Sequence, residues 1–143
     1  MIADATPPRF DSLLLQVDGA MGRLALNRPH KLNALSPALM RDIIAASRWL
    51  AGLPDLRVLR VGGEGRAFCA GFDLDAMRES RAGMDRQATD LGRQMIEAFE
   101  AIPAITLAEV QGHCVGGGFL LAAVCDLRIA ADDARFSIPE MEL

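Results

Sequence analysis

Two apolar runs rich in β-branched residues, 56–61 and 104–110, each empty into a loop and then into the start of a helix. The first is closed by Gly62–Gly63 and the second is followed by the glycine-rich stretch 112–118. Strand, loop and helix in series argue for an α/β fold of layered βα units rather than a β-sandwich. The rest of the chain agrees. Leu13, Leu15 and Val17 alternate with Ser12, Leu14 and Gln16, and Asp18–Gly19 offers a turn before Leu24 and Leu26 resume the alternation. Residues 12–17 and 21–26 are therefore expected to form a hairpin.

Arg28–Pro29 breaks that strand, and Ser36–Pro37 supplies an N-cap followed by proline at the first helical position. Leu39, Ile43, Ala46 and Leu50 then recur at helical spacing until Leu53–Pro54. A second helical stripe, Leu91, Met95 and Ile102, covers residues 85–102 and stops at Pro103. Residues 119–124 read as a short apolar helix and 127–131 as a strand. The pattern reaches Leu143 just after a strand with no closing helix, so the chain reads as the first part of something larger.

Composition excludes several classes. With 143 residues, 51% hydrophobic and 24% charged, the chain suits one globular domain and not a disordered tail. A net charge of −4 argues against a broad nucleic-acid surface. Arg and Asp interrupt every apolar stretch, so none approaches the roughly 18 residues of a membrane span. The first residues lack the basic and apolar regions of a secretory signal, and the chain is read as soluble and cytoplasmic. Cys69, Cys114 and Cys125 form no CxxC pair and His30 and His113 stand apart, so no metal site is expected. Free, reduced, buried thiols are the expected state of all three cysteines. Cys69 as a nucleophile lacks a nearby base in sequence.

Chemistry is expected at the two strand-to-helix junctions, residues 66–74 and 112–118. Glycines there let a ligand approach the backbone, or simply let helix and strand pack closely. Two backbone N–H groups, one from each loop, can hold an oxygen that turns negative during reaction. Neither loop matches the dinucleotide or P-loop patterns. Glu140 follows the apolar segment 136–139, which can desolvate it and raise its pKa for proton transfer; the plainer alternative is a solvated strand-end glutamate. Glu142 is read as structural and His113 as an ordinary hydrogen-bonding loop residue.

At these residues the sequence resembles the enoyl-CoA hydratase/isomerase (crotonase) superfamily. The motifs that carry the resemblance are Leu26-Asn27-Arg28-Pro29 with Asn33-Ala34-Leu35, then Ala67-Phe68-Cys69-Ala70-Gly71-Phe72-Asp73-Leu74. They continue through Gly112-His113-Cys114-Val115-Gly116-Gly117-Gly118, Cys125-Asp126 and Ala134-Arg135-Phe136 to Pro139-Glu140. The resemblance implies a crotonase-like spiral of ββα units, here lacking its C-terminal part, with residues 1–11 as a flexible lead-in and 12–143 as the core domain. It implies acyl-CoA thioesters as substrates, with coenzyme A part of the substrate and no separate cofactor, and assembly as trimers or hexamers.

The resemblance places the two oxyanion-holding N–H groups on Phe72 and Gly117 and a catalytic carboxylate on Glu140. It lines the coenzyme A portion with Lys31, Leu32, Ala70, Phe72, Asp73, Leu74, Asp75 and Gly117. One departure matters. Hydratases of this family use two glutamates, and the first falls here on Leu120. A single carboxylate suffices to move a proton from C2 to C4, so double-bond isomerisation is expected over hydration. The alternative expectation is a non-catalytic acyl-CoA-binding or assembly protein on the same scaffold.

Overall fold

The computed structural model describes residues 5–79 and 84–139, with side chains from residue 90 onward in the second span. The hairpin forms as expected, from β1 (Leu13–Asp18) and β2 (Met21–Leu26), with Leu13 opposite Leu26 and Asp18 opposite Met21. Gly19 opens the two-residue turn at φ 57°, where a residue without Cβ meets no clash. Leu24, Ala25 and Leu26 lie fully inside while alternate residues of β1 face out.

After a short 3-10 turn at Pro29–Lys31 the chain enters α1 (Pro37–Ala51). The Ser36 hydroxyl accepts the Leu39 N–H at 3.1 Å, a cap worth about 1 kcal/mol, and Pro37 occupies the first turn. The helix buries Leu39, Met40, Ile43, Ile44 and Leu50 on one stripe. Gly52 ends it, two residues before Pro54.

Three further strands join the hairpin in parallel: β3 (Val58–Gly63), β4 (Ile105–Val110) and β6 (Leu127–Ala130). The sheet runs β1-β2-β3-β4-β6, antiparallel only between β1 and β2. Between β3 and β4 lie α2 (Leu74–Glu79) and α3 (Met84–Glu100), where the sequence pattern suggested one stripe over 85–102. α3 packs on α1, and Met95 and Phe99 join Phe68, Leu59 and Leu121 in one core. Each such side chain contributes roughly 1.5–3 kcal/mol when fully buried.

The stretch 112–118 is not a continuous loop. It holds β5 (His113–Val115), which pairs with β7 (Arg135–Ser137) in a separate two-stranded parallel sheet, and then α4 (Gly117–Ala123). Strands of three residues leave no periodicity to read, and their pairing is settled by partners distant in the chain. β6 and β7 are exposed throughout, with Ile129 at 62% and Phe136 at 46%. The apolar segment expected to surround Glu140 therefore lies at the surface as far as Ile138, and Glu140 and Glu142 lie outside the described residues. All three cysteines are free and buried, as the sequence suggested.

Candidate active site

Because β2, β3 and β4 are parallel, their carboxyl ends share one edge of the sheet. Loops 27–36, 64–73 and 111–116 leave that edge together, the usual place for ligands in open α/β sheets. The three loops are laced by backbone bonds. Leu35 N–H donates to Gly71 C=O at 2.7 Å and Asp73 N–H donates to Leu35 C=O at 3.0 Å, so Leu35 and Phe72 form a parallel bridge. On the far side of loop 64–73, Cys69 N–H donates to His113 C=O and Val115 N–H to Cys69 C=O, a second bridge between Cys69 and Cys114.

The first loop is held by a buried amide. Asn33 sits fully inside at φ 56°, a conformation asparagine tolerates better than most residues. Its Oδ1 accepts the Arg28 N–H at 2.8 Å, and its Nδ2 donates to the Glu64 and Ala67 carbonyls at 2.9 and 2.8 Å. One side chain thus satisfies three backbone groups of two loops. The sequence motif around Asn33 marked the resemblance, but nothing local announced this role.

In a bridge made by Leu35 N–H and C=O, the N–H of Phe72 faces away from Leu35. It donates to no group among the described residues, and neither does the N–H of Gly117, the first residue of α4. Phe72 and Gly117 line the same cavity of about 420 Å³. The floor is otherwise apolar: Leu120 one turn along α4, Val124, and Gly92, Met95 and Ile96 from α3. Arg93 and Glu97 also line it, paired with each other at 2.7 Å and well exposed.

Close packing and the border of a cavity meet at the glycines. A Cβ on Gly118 would lie 2.6 Å from both Cβ and O of Cys69, so this residue lets α4 rest on loop 64–73. Gly117 is less tightly enclosed, with Leu35 Cδ1 2.8 Å from such a Cβ, and it also borders the cavity. Cys69 itself is unsuited to nucleophilic work. Burial pushes its thiol up to about 12, outweighing the favourable contact with Gly71.

The remaining candidate residues fall beside this site. Lys31 ends the 3-10 turn, exposed, and Leu32 follows at φ 51° with its carbonyl accepting the Ala70 N–H. Leu74 and Asp75 open α2 and are exposed. Asp73 is different: 8% exposed, its Oδ1 accepts the Ala76 N–H and its Oδ2 pairs with Arg28 at 3.0 Å. The Ala76 N–H and the Arg28 guanidinium hold its carboxyl below the usual carboxylate range. No grouping of metal-ligating side chains occurs among the described residues. None of their helices is long and apolar enough to cross a membrane.

The segment that leads to Glu140 returns to this place. Val115 pairs with Ser137, and Gly116 N–H donates to Ser137 C=O at 3.0 Å, immediately before Gly117. Phe136 meets Phe119 of α4 edge to face, with ring centroids 6.2 Å apart.

The sequence profile described as enoyl-CoA hydratase/isomerase matches residues 17–143. The chain belongs to the enoyl-CoA hydratase/isomerase family. Among family members, it is 36% identical over 138 residues to the peroxisomal Delta(3,5)-Delta(2,4)-dienoyl-CoA isomerase of Arabidopsis thaliana, covering 88% of this chain and 50% of that protein. It is 36% identical over 141 residues to the hydroxycinnamoyl-CoA hydratase-lyase of Pseudomonas fluorescens, covering 93% and 50%. The crystal structure of an enoyl-CoA hydratase/carnithine racemase from Magnetospirillum magneticum superposes with a TM-score of 0.87 at 29% identity, over 94% of this chain and 51% of that one. The mixed α/β architecture is thus that of the crotonase-like proteins of the family. The chain spans about half the length of these relatives.

Proposed function

We propose that the protein containing this chain is an acyl-CoA enzyme that moves a carbon–carbon double bond through a thioester enolate. The observation that carries the reading is the pair Phe72 and Gly117, on one apolar cavity with N–H groups that no described residue uses. In this reading the thioester oxygen accepts both N–H groups. Glu140 takes the proton from C2 of a 3-enoyl thioester, and the C2 electron pair moves onto the thioester oxygen as the enolate forms. The protonated Glu140 returns its proton at C4, and the double bond ends between C2 and C3. One backbone donor to such an oxyanion is worth about 2.7–4 kcal/mol of barrier.

Leu120 favours isomerisation over hydration. It lies on the cavity where the resemblance puts the first hydratase glutamate, and an aliphatic side chain can neither orient water nor carry a proton. Proton return between two carbons of one substrate needs only one carboxylate. Coenzyme A enters as part of the substrate, along the loops bearing Lys31, Leu32, Ala70 and residues 73–75, and no other cofactor takes part. Assembly as a trimer or hexamer is carried over from the resemblance.

The test uses the full-length protein, a 3-enoyl-CoA and the ultraviolet absorbance of the conjugated 2-enoyl product. Turnover is expected, with Glu140→Gln slowing it on the order of 10²- to 10⁴-fold. Undiminished turnover in that variant rejects the assignment of Glu140. Tight acyl-CoA binding with no product from 2-enoyl or 3-enoyl thioesters supports a binding protein instead.

A further inference from the structure

We infer that Arg28 is a positioning residue, clamping the Leu35–Phe72 bridge so that the Phe72 N–H keeps its direction away from Leu35, the one the proposed donor role requires. The inference rests on the proposed role of that N–H. A single guanidinium spans both sides of the bridge. Its Nη1 donates to the carbonyl of Ala34, the residue just before Leu35, at 2.5 Å, and its Nη2 donates to the carboxylate of Asp73, the residue just after Phe72, at 3.0 Å. The bridge between these two anchors consists of the two bonds that turn the Phe72 N–H away from Leu35.

The clamp has something to resist. Leu32 and Asn33 both hold positive φ, 51° and 56°, in the turn that delivers Leu35. Such backbone persists only where its surroundings over-determine it. The surroundings here are the Asn33 amide, which also ties the Glu64 and Ala67 carbonyls, and the Arg28 fork; the two meet at Arg28, whose own N–H is bound by Asn33 Oδ1. The ion pair is mostly out of water, with side-chain exposures of 17% and 10%, so it is poorly screened. Asp73 is fixed independently by the Ala76 N–H at the start of α2, which makes it a firm anchor. Arginine suits the task because its planar fork meets two acceptors at once, whereas a lysine ammonium is a single point on a flexible stem.

The experiment uses the full-length protein and its Arg28→Met and Arg28→Lys variants. Steady-state kinetics with a 3-enoyl-CoA are paired with the carbonyl stretch of a bound, isotopically labelled 2-enoyl-CoA. Circular dichroism establishes that each variant is folded. Arg28→Met is expected to lower kcat about 10²-fold, the scale of a displacement near 1 Å, while KM changes by no more than a few-fold. The downshift of the bound carbonyl shrinks in parallel. Arg28→Lys recovers part of both, and it carries the test if Arg28→Met does not fold. A folded variant with the wild-type carbonyl shift and kcat overturns this inference alone. A wild-type protein that leaves the bound carbonyl unshifted overturns the donor pair and, with it, this role.

Discussion

The Phe72 ring fills the space that a side chain on Gly117 would need: a Cβ there would lie 3.1 Å from the ring Cζ and 2.8 Å from Leu35 Cδ1. The proposed pair of donors is thus also a packing pair. Gly117→Ala must push aside the fully buried Leu35 and also crowd the ring. Turnover is expected to fall by about 10²–10³-fold, the cost of one lost donor. Overpacking should also lower stability by about 1–3 kcal/mol. Denaturant melts beside steady-state kinetics on the full-length protein separate the two effects; a variant as active as wild type would show that Gly117 matters for packing only.

Leu120 stands one turn beyond Gly117 and is 51% exposed. Leu120→Glu places a second carboxylate on the cavity wall without opening a hole in the core. Stability should change by no more than about 0.5 kcal/mol, as at other exposed helix positions. A 2-enoyl-CoA incubated with this variant should yield 3-hydroxyacyl-CoA, detected by chromatography, at a rate above that of the wild type. Equal rates would mean that Leu120 does not decide between the two reactions.

Asp73 makes the loop clamp sensitive to acid. Its pKa is lower folded than unfolded, chiefly through the Ala76 N–H, so its contribution is complete above the ordinary carboxylate value. That contribution fades as pH falls through the lower, folded value. Wild type should therefore exceed Asp73→Asn in stability at neutral pH, and the gap should close in strongly acidic buffer. Urea melts across that range decide it; a gap that is constant with pH would rule out the charge as its source.

The thiols should be silent in the folded protein. Burial pushes Cys69 up to about 12 and Cys114 and Cys125 up to about 11, leaving little thiolate at mildly alkaline pH. Iodoacetamide under native conditions is expected to leave the mass unchanged, and three additions should follow in urea. Rapid native labelling of Cys69 would point to an opening of loop 64–73.

What the sequence made legible was local. Asp18–Gly19 and the alternation beside it announce the first hairpin, and Ser36–Pro37 announces α1, because each signal lies within a few residues of its effect. The three cysteines were readable as free and buried, and the glycines of 112–118 as places where helix and strand pack closely. The β5–β7 pairing was not readable, since it joins residues about twenty positions apart through strands of three residues. The same holds for Asn33, whose amide answers carbonyls 31 and 34 residues away, and for the Arg28–Asp73 pair, 45 residues apart. Long-range partners of this kind leave no periodicity behind.

The cavity has walls of two origins. Phe72 lies in a loop cross-tied by backbone bonds and Gly117 opens α4 just after another such stretch, while Met95, Ile96 and Gly92 come from α3, which shares no backbone bond with either among the described residues. Mutational drift along that helix can therefore widen, narrow or roughen the chamber while the N–H groups stay where they are. A lineage built on such a plan can reshape the chamber by small steps, without first disturbing the backbone that frames it.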